Sequence, residues 1–171
     1  MTGLPDGASG GAASEGAAAR LLDSLERRGW TVAVAESLTG GLVAASLVDV
    51  PGASRTVRGG VVAYATDLKA SLLGVDGRLL EERGAVDPDV AMAMAEGVRM
   101  RLGADVGLAT TGVAGPDPQD GNAPGTVHVA VAGPGFAHTT RFEFAGSRPE
   151  VRAQACDAVI HLAVAQVGAI G

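Results

Sequence analysis

The sequence predicts an α/β domain with parallel strands covered by helices on both faces and an antiparallel strand added late. Three observations point there. Short β-branched runs alternate with helical periodicity through the first part of the chain, the pattern of successive βα units. Two strand-like segments then follow one another around Gly133-Pro134-Gly135, as an antiparallel pair does. The 171 residues, 47% apolar and 19% charged, suffice for one buried core and do not describe a disordered chain.

Residues 1–14 are Gly, Ala and Ser with little to bury, and are expected to form a disordered tail ahead of a single domain over 15–171. From Glu15 a helix is predicted, with Ala18, Leu21, Leu22 and Leu25 on one face and Gly29 at its C-cap. TVAVAE (31–36) reads as a buried strand, and a helix through LVAASLVDV stops at Pro51-Gly52. ASRTVR (53–58) is a polar connector and GGVVAY (59–64) a strand. TDLKASLLG (66–74) reads as a short helix with Thr66 as N-cap, followed by a small helix or turn, DGRLLEERG. Asp87-Pro88 opens a long helix, with Met92, Ala95, Val98 and Leu102 on one face. VGLATTG (106–112) is a buried strand leading into the polar loop 115–125, and the last helix runs from about Ser147 to Val167.

Composition narrows the function. Nineteen acidic against thirteen basic residues give a net charge of −6, which disfavours uniform attraction to nucleic acid or an anionic membrane. Aromatic residues are only 3%, too few for a base-stacking platform. The single cysteine, Cys156, excludes an internal disulfide and a cysteine-based zinc cluster, and its apolar helix makes it a core residue. His128, His138 and His161 have no ligand spacing. There is no apolar run of about 18 residues and no signal-peptide pattern, so a cytoplasmic protein is expected.

Four places could carry chemistry. Glu36-Ser37-Leu38-Thr39-Gly40-Gly41 joins a strand to a helix. Its free N–H groups could bind an anion, or the glycines could simply make a tight helix cap. Ser54, Tyr64 and Lys69 form a second set. Lys69 is the only lysine among thirteen bases and Tyr64 the only tyrosine. A lysine, unlike an arginine, can lose its proton when desolvated and act as a base, although a surface lysine beside an ordinary serine fits too. Thr110-Thr111-Gly112 ends a strand where open α/β sheets bind ligands, or is an ordinary strand end. The loop after it carries Asp117, Gln119, Asp120 and Asn122 and reads as a lid rather than a calcium loop. Arg148 opens the last helix, with Arg152 one turn on; either could clamp a phosphate or carboxylate or lie solvated.

In order along the chain, AESLTGG (35–41), DVPGAS (49–54), GGVVAY with Lys69 five residues after Tyr64, LLGV (72–75), GAV (84–86), TTGVAGP (110–116), PGTVHVAVAG (124–133) and G-x-R-x-x-V-R (146–152) resemble the nicotinamide-nucleotide amidohydrolases, the stand-alone form of the CinA C-terminal domain (PncC type). The resemblance covers about residues 16–167. It implies a three-layer α/β/α sandwich with a mixed, mostly parallel sheet. It implies hydrolysis of the carboxamide of nicotinamide mononucleotide to nicotinate mononucleotide and ammonia, a reaction that needs no cofactor or metal. A homodimer is the default expectation for so small an enzyme. Ser54 would be the nucleophile, Lys69 its base and Tyr64 an assistant, with Ser37 as rival nucleophile. Glu36, Ser37, Thr39, Gly40, Gly41, Thr111, Gly112 and Arg148 would bind substrate. The lysine would be neutralised by burial and a nearby cation. Leu38, Ala65-Thr66 and Asp87 depart from the family's common Cys, Ser-Asn and Ser. The alternative is a non-catalytic nucleotide-binding or competence- and damage-related regulatory protein; a metal-dependent phosphate-ester hydrolase is disfavoured by the lack of a carboxylate cluster.

Overall fold

The computed structural model describes residues 11–170. Five strands form one sheet in the order β2-β1-β3-β4-β5: β1 (Val32–Glu36), β2 (Val57–Val62), β3 (Val106–Gly112), β4 (Thr126–Gly133) and β5 (Phe136–Glu143). β1 pairs in parallel with β2 and β3, while β4 pairs antiparallel with β3 and β5. Only β4 therefore runs against the others, giving the mixed, mostly parallel sheet of a three-layer α/β/α sandwich.

The helices are α1 (Gly11–Arg28), α2 (Leu42–Val48), α3 (Thr66–Leu73), α4 (Gly77–Arg83), α5 (Pro88–Leu102) and α6 (Arg148–Ala169). Alternation along the strands assigns the two cores. Val32 and Val34 of β1, Leu108 of β3 and Val129 of β4 pack with α1, α2 and α6 through Leu21, Leu25, Leu47, Val159 and Ile160. Ala33 and Ala35, Ala109 and Ala130 face the other way, toward Leu73 of α3 and Val90, Met94 and Val98 of α5. That second face is alanine-rich because α5 lies almost on the sheet. A methyl group on Gly107 would stand 2.0 Å from the carbonyl oxygen of Ala95, and one on Gly97 2.0 Å from that of Leu73. Glycine is required at both positions by backbone approach.

Local signals set most element ends. Gly29 closes α1 at φ 65, and Trp30 N–H bonds back to the Leu25 carbonyl. The Asp87 carboxylate accepts from the N–H groups of Asp89 and Val90 at 2.7 and 3.4 Å, with Pro88 beginning α5. The segment left open as helix or turn is the helix α4. Helix α1 begins at Gly11, so residues 11–14 are helical rather than tail; the rest of the expected tail lies outside the described residues. Thr66 is the first residue of α3 and does not cap it; Ala65 holds the cap position without a side-chain bond. β2 lies two residues earlier than expected, because Val57 rather than Gly59 starts its register against Val32. Tyr64 thereby falls beyond the strand, in the turn before α3.

Candidate active site

The carboxyl ends of β1, β2 and β3 converge on a cavity of about 300 Å³, in the size range of small-ligand pockets. Ser37 follows β1, Tyr64 follows β2, and Thr111 and Gly112 end β3. All four line the cavity, with Lys69 of α3 and Arg148 of α6.

Lys69 is the largest fully buried side chain among the described residues. Its Nζ donates to Ser37 Oγ at 3.0 Å and to the carbonyl oxygens of Ala63 and Tyr64 at 2.8 and 3.3 Å. Burial lowers its pKa to about 8, because an ammonium is poorly solvated there. The expected cation that would help neutralise it is replaced by an anion: Asp120 pushes the pKa back up.

Ser54 is not brought to this lysine, which corrects the expected Ser54–Lys69 pair. Ser54 sits in a 3₁₀ turn, Ala53–Arg55, ahead of β2, and lines a separate depression with Val48, Val57 and Arg58. Arg55 of the same turn bonds Glu26 of α1 at 2.6 Å. Tyr64 and α3 follow the other end of β2. Six strand residues intervene, or about 20 Å at the usual rise per residue. The rival serine, Ser37, is the one within hydrogen-bond distance.

The Glu36–Gly41 segment divides into wall and support. Ser37 and Leu38 line the cavity; Glu36, Thr39, Gly40 and Gly41 do not. The buried Glu36 carboxylate accepts from the N–H groups of Gly41, Val43 and Ala44 at 2.9, 3.1 and 2.8 Å. The chain's own carboxylate thus takes the N–H groups at the start of α2, which favours the tight helix cap over a ligand-anion site there. Thr39, fully buried, shares a 2.7 Å hydrogen bond with Thr110 Oγ1, and Ser37 N–H donates to the Thr110 carbonyl at 3.1 Å. Arg152 donates to the carbonyls of Leu38 and Thr39 at 2.8 and 3.0 Å. Its role is to fix the serine turn against α6.

Arg148 closes one side of the cavity, donating to the Gly115 carbonyl and to Tyr64 Oη, each at 2.8 Å. The Tyr64 hydroxyl is thus engaged by Arg148, while its backbone carbonyl holds the lysine. Thr111 Oγ1 donates to the Ala85 carbonyl at 2.6 Å. The loop expected to be a lid is a pinned wall, contributing Gly115, Asp117 and Gln119 to the cavity and bonding residues 85–86 through Asp120 and Asn122. Sequence reasoning missed the carbonyls of Ala63 and Tyr64 and the wall at Ala85–Val86; backbone groups leave no residue signal.

No group of three His, Cys, Asp or Glu side chains among the described residues could hold a metal. Cys156 is buried, and its thiol is pushed up to about 11 by that burial, which keeps it protonated and inert. No described helix is long and apolar enough to cross a membrane.

The family model of the CinA C-terminal domain matches residues 14–167. The chain belongs to the CinA C-terminal domain family. Relatives of this CinA domain include the CinA-like protein of Frankia casuarinae, 54% identical over 142 residues, which are 83% of this chain and 33% of that protein. The CinA-like protein of Gloeobacter violaceus is 54% identical over 125 residues, 72% of this chain and 29% of that protein. The chain spans about a third of the length of these relatives. Solved structures agree in fold. A CinA superfamily protein from Klebsiella pneumoniae superposes with TM-score 0.87 at 31% identity, covering 91% of this chain and 98% of that one. A competence/damage inducible protein from Agrobacterium tumefaciens gives TM-score 0.86 at 31% identity, covering 96% and 98%.

Proposed function

We propose that this CinA domain hydrolyses the carboxamide of nicotinamide mononucleotide, with Ser37 as nucleophile and Lys69 as general base. The contact of Lys69 Nζ with Ser37 Oγ, inside a cavity that otherwise buries the amine, carries this reading. A neutral lysine has two N–H bonds and one lone pair. Directed at the carbonyls of Ala63 and Tyr64, the two N–H bonds leave the lone pair facing the Ser37 hydroxyl. A pKa of about 8 leaves a useful neutral fraction near neutral pH.

In the proposed cycle Ser37 Oγ attacks the amide carbon as its proton passes to Lys69. The tetrahedral adduct collapses, the C–N bond breaks, and the lysine returns the proton to the leaving ammonia. Water then attacks the acyl-serine, giving its proton to Lys69, which passes it back to Ser37 Oγ as the carboxylate leaves. Arg148, anchored by Gly115 and Tyr64, takes the anionic phosphate as a partner for its guanidinium. Tyr64 therefore serves by orienting Arg148 and holding Lys69. Glu36 and Thr39 act beneath the site as supports for the serine turn. Cytoplasmic residence and a homodimer belong to the same reading.

The test is ammonia release from nicotinamide mononucleotide. The intact chain should release one ammonia per nicotinate mononucleotide formed, and Ser37→Ala should not. Substrate binding without ammonia release would favour the regulatory alternative.

A further inference from the structure

Between the matched blocks TTGVAGP and PGTVHVAVAG lies a turn that the chemistry above does not use. Gln119 and Asn122 exchange backbone hydrogen bonds, Gln119 N–H to the Asn122 carbonyl at 3.1 Å and the reverse at 2.8 Å. Asp120 and Gly121 between them have φ 50 and 76, the paired positive values of a type I′ turn, for which Asp-Gly is a preferred sequence. Asp120 is the only non-glycine residue with positive φ among those described. This conformation sets its side chain against Gly84 and Ala85. Asp120 Oδ2 accepts from Ala85 N–H at 3.3 Å, and a methyl group on Gly84 would stand 3.0 Å from Asp120 Cβ. Thr111 Oγ1 holds the carbonyl of the same Ala85. Ala85 lines the cavity and is thus fixed through both its backbone groups. Asp120 is also the charged group whose field reaches Lys69. The other titratable or charged side chains facing this cavity are Tyr64, Asp117 and Arg148.

We propose that Asp120 is a positioning residue for the Ser37–Lys69 site: held in the 119–122 turn, its carboxylate fixes the Ala85 wall of the cavity. The proposal rests on the amidohydrolase reading for its kinetic consequences only. The carboxylate favours the protonated lysine, so it opposes the burial that frees the base. It therefore places the acid limb of catalysis higher than burial alone would, and the turn fixes the wall against which the substrate is held.

The single lysine makes the test direct. Full-length chain labelled with ¹³Cε-lysine gives one side-chain resonance whose titration midpoint reports Lys69 whether or not any amide is hydrolysed. Asp120→Asn keeps an oxygen acceptor for Ala85 N–H and loses the charge; Asp120→Ala loses both. In both variants the midpoint should fall below that of the unmodified chain, and the acid limb of kcat/KM should move down with it. Asp120→Ala alone should raise KM for nicotinamide mononucleotide about 3- to 10-fold, the usual effect of one lost hydrogen bond, while Asp120→Asn stays within about 2-fold. A midpoint unmoved in both variants, or a KM unmoved in the alanine variant of an active enzyme, overturns the proposal. If the unmodified chain hydrolyses no nicotinamide mononucleotide, the amidohydrolase reading falls and the midpoints alone decide: a downward shift in both variants supports the placement of Asp120, and no shift overturns it.

Discussion

Two serines of this chain lie beside small, glycine-bearing turns, and their surroundings differ in almost every respect. Ser37 leaves the carboxyl end of a fully buried strand, is itself buried, and meets a buried amine. Ser54 precedes an edge strand, is exposed, and shares its depression with Val48, Val57 and Arg58. The difference is which end of the sheet each occupies. In a sheet of parallel strands the crevice forms beyond the carboxyl ends, where chain reversals leave room and helices return. A serine at the opposite end cannot share a site with residues that follow the same strand.

The comparison is broken most decisively at the serines and the lysine. Ser37→Ala should reduce kcat for ammonia release by about 10³-fold or more, the scale seen when a nucleophile is removed. Lys69→Met, which fills the space but accepts no proton, should cost at least about 10²-fold, and raising the pH should not restore it. Near-normal turnover in either variant would end the dyad. The pH profile sharpens the lysine's part. Burial holds its pKa down at about 8, so its base form is lost as pH falls through that value. The kcat/KM of the unmodified enzyme should therefore drop about tenfold per pH unit on the acid side and level off above. A profile flat from pH 6 to 9 would contradict this. Arg148→Ala should raise KM about tenfold with kcat less affected, since a charge-assisted contact to a bound anion is lost. Ser54→Ala should change neither constant by more than about 2-fold, as expected of an exposed side chain outside the site.

The layers, the sheet and most element ends were legible because the signals are local. Alternating Val and Ala in β1 name both cores, and Gly29, Gly74 and Asp87-Pro88 mark helix ends by backbone requirements. The lone lysine was legible as chemistry and Ser37 as one of its two candidate partners, but the choice between Ser37 and Ser54 was not, since hydrogen bonding between residues 37 and 69 depends on two strands lying side by side. One long-range clue was available. A serine before a strand and a tyrosine after it are separated by that strand's length, which argues against Ser54. Glu36 illustrates the opposite difficulty. Its sequence neighbourhood resembles an anion site, and the structure fills that site with Glu36 itself. The Asp120-Gly121 dipeptide was a readable turn signal, but what it touches is set by a segment 35 residues away in the chain.

The most direct measurement is peptide mapping of enzyme quenched during turnover of nicotinamide mononucleotide. The mass of the nicotinoyl mononucleotide group should be found on the peptide carrying Ser37, and it should be absent from Lys69→Met. The same mass on the peptide carrying Ser54 would contradict the account.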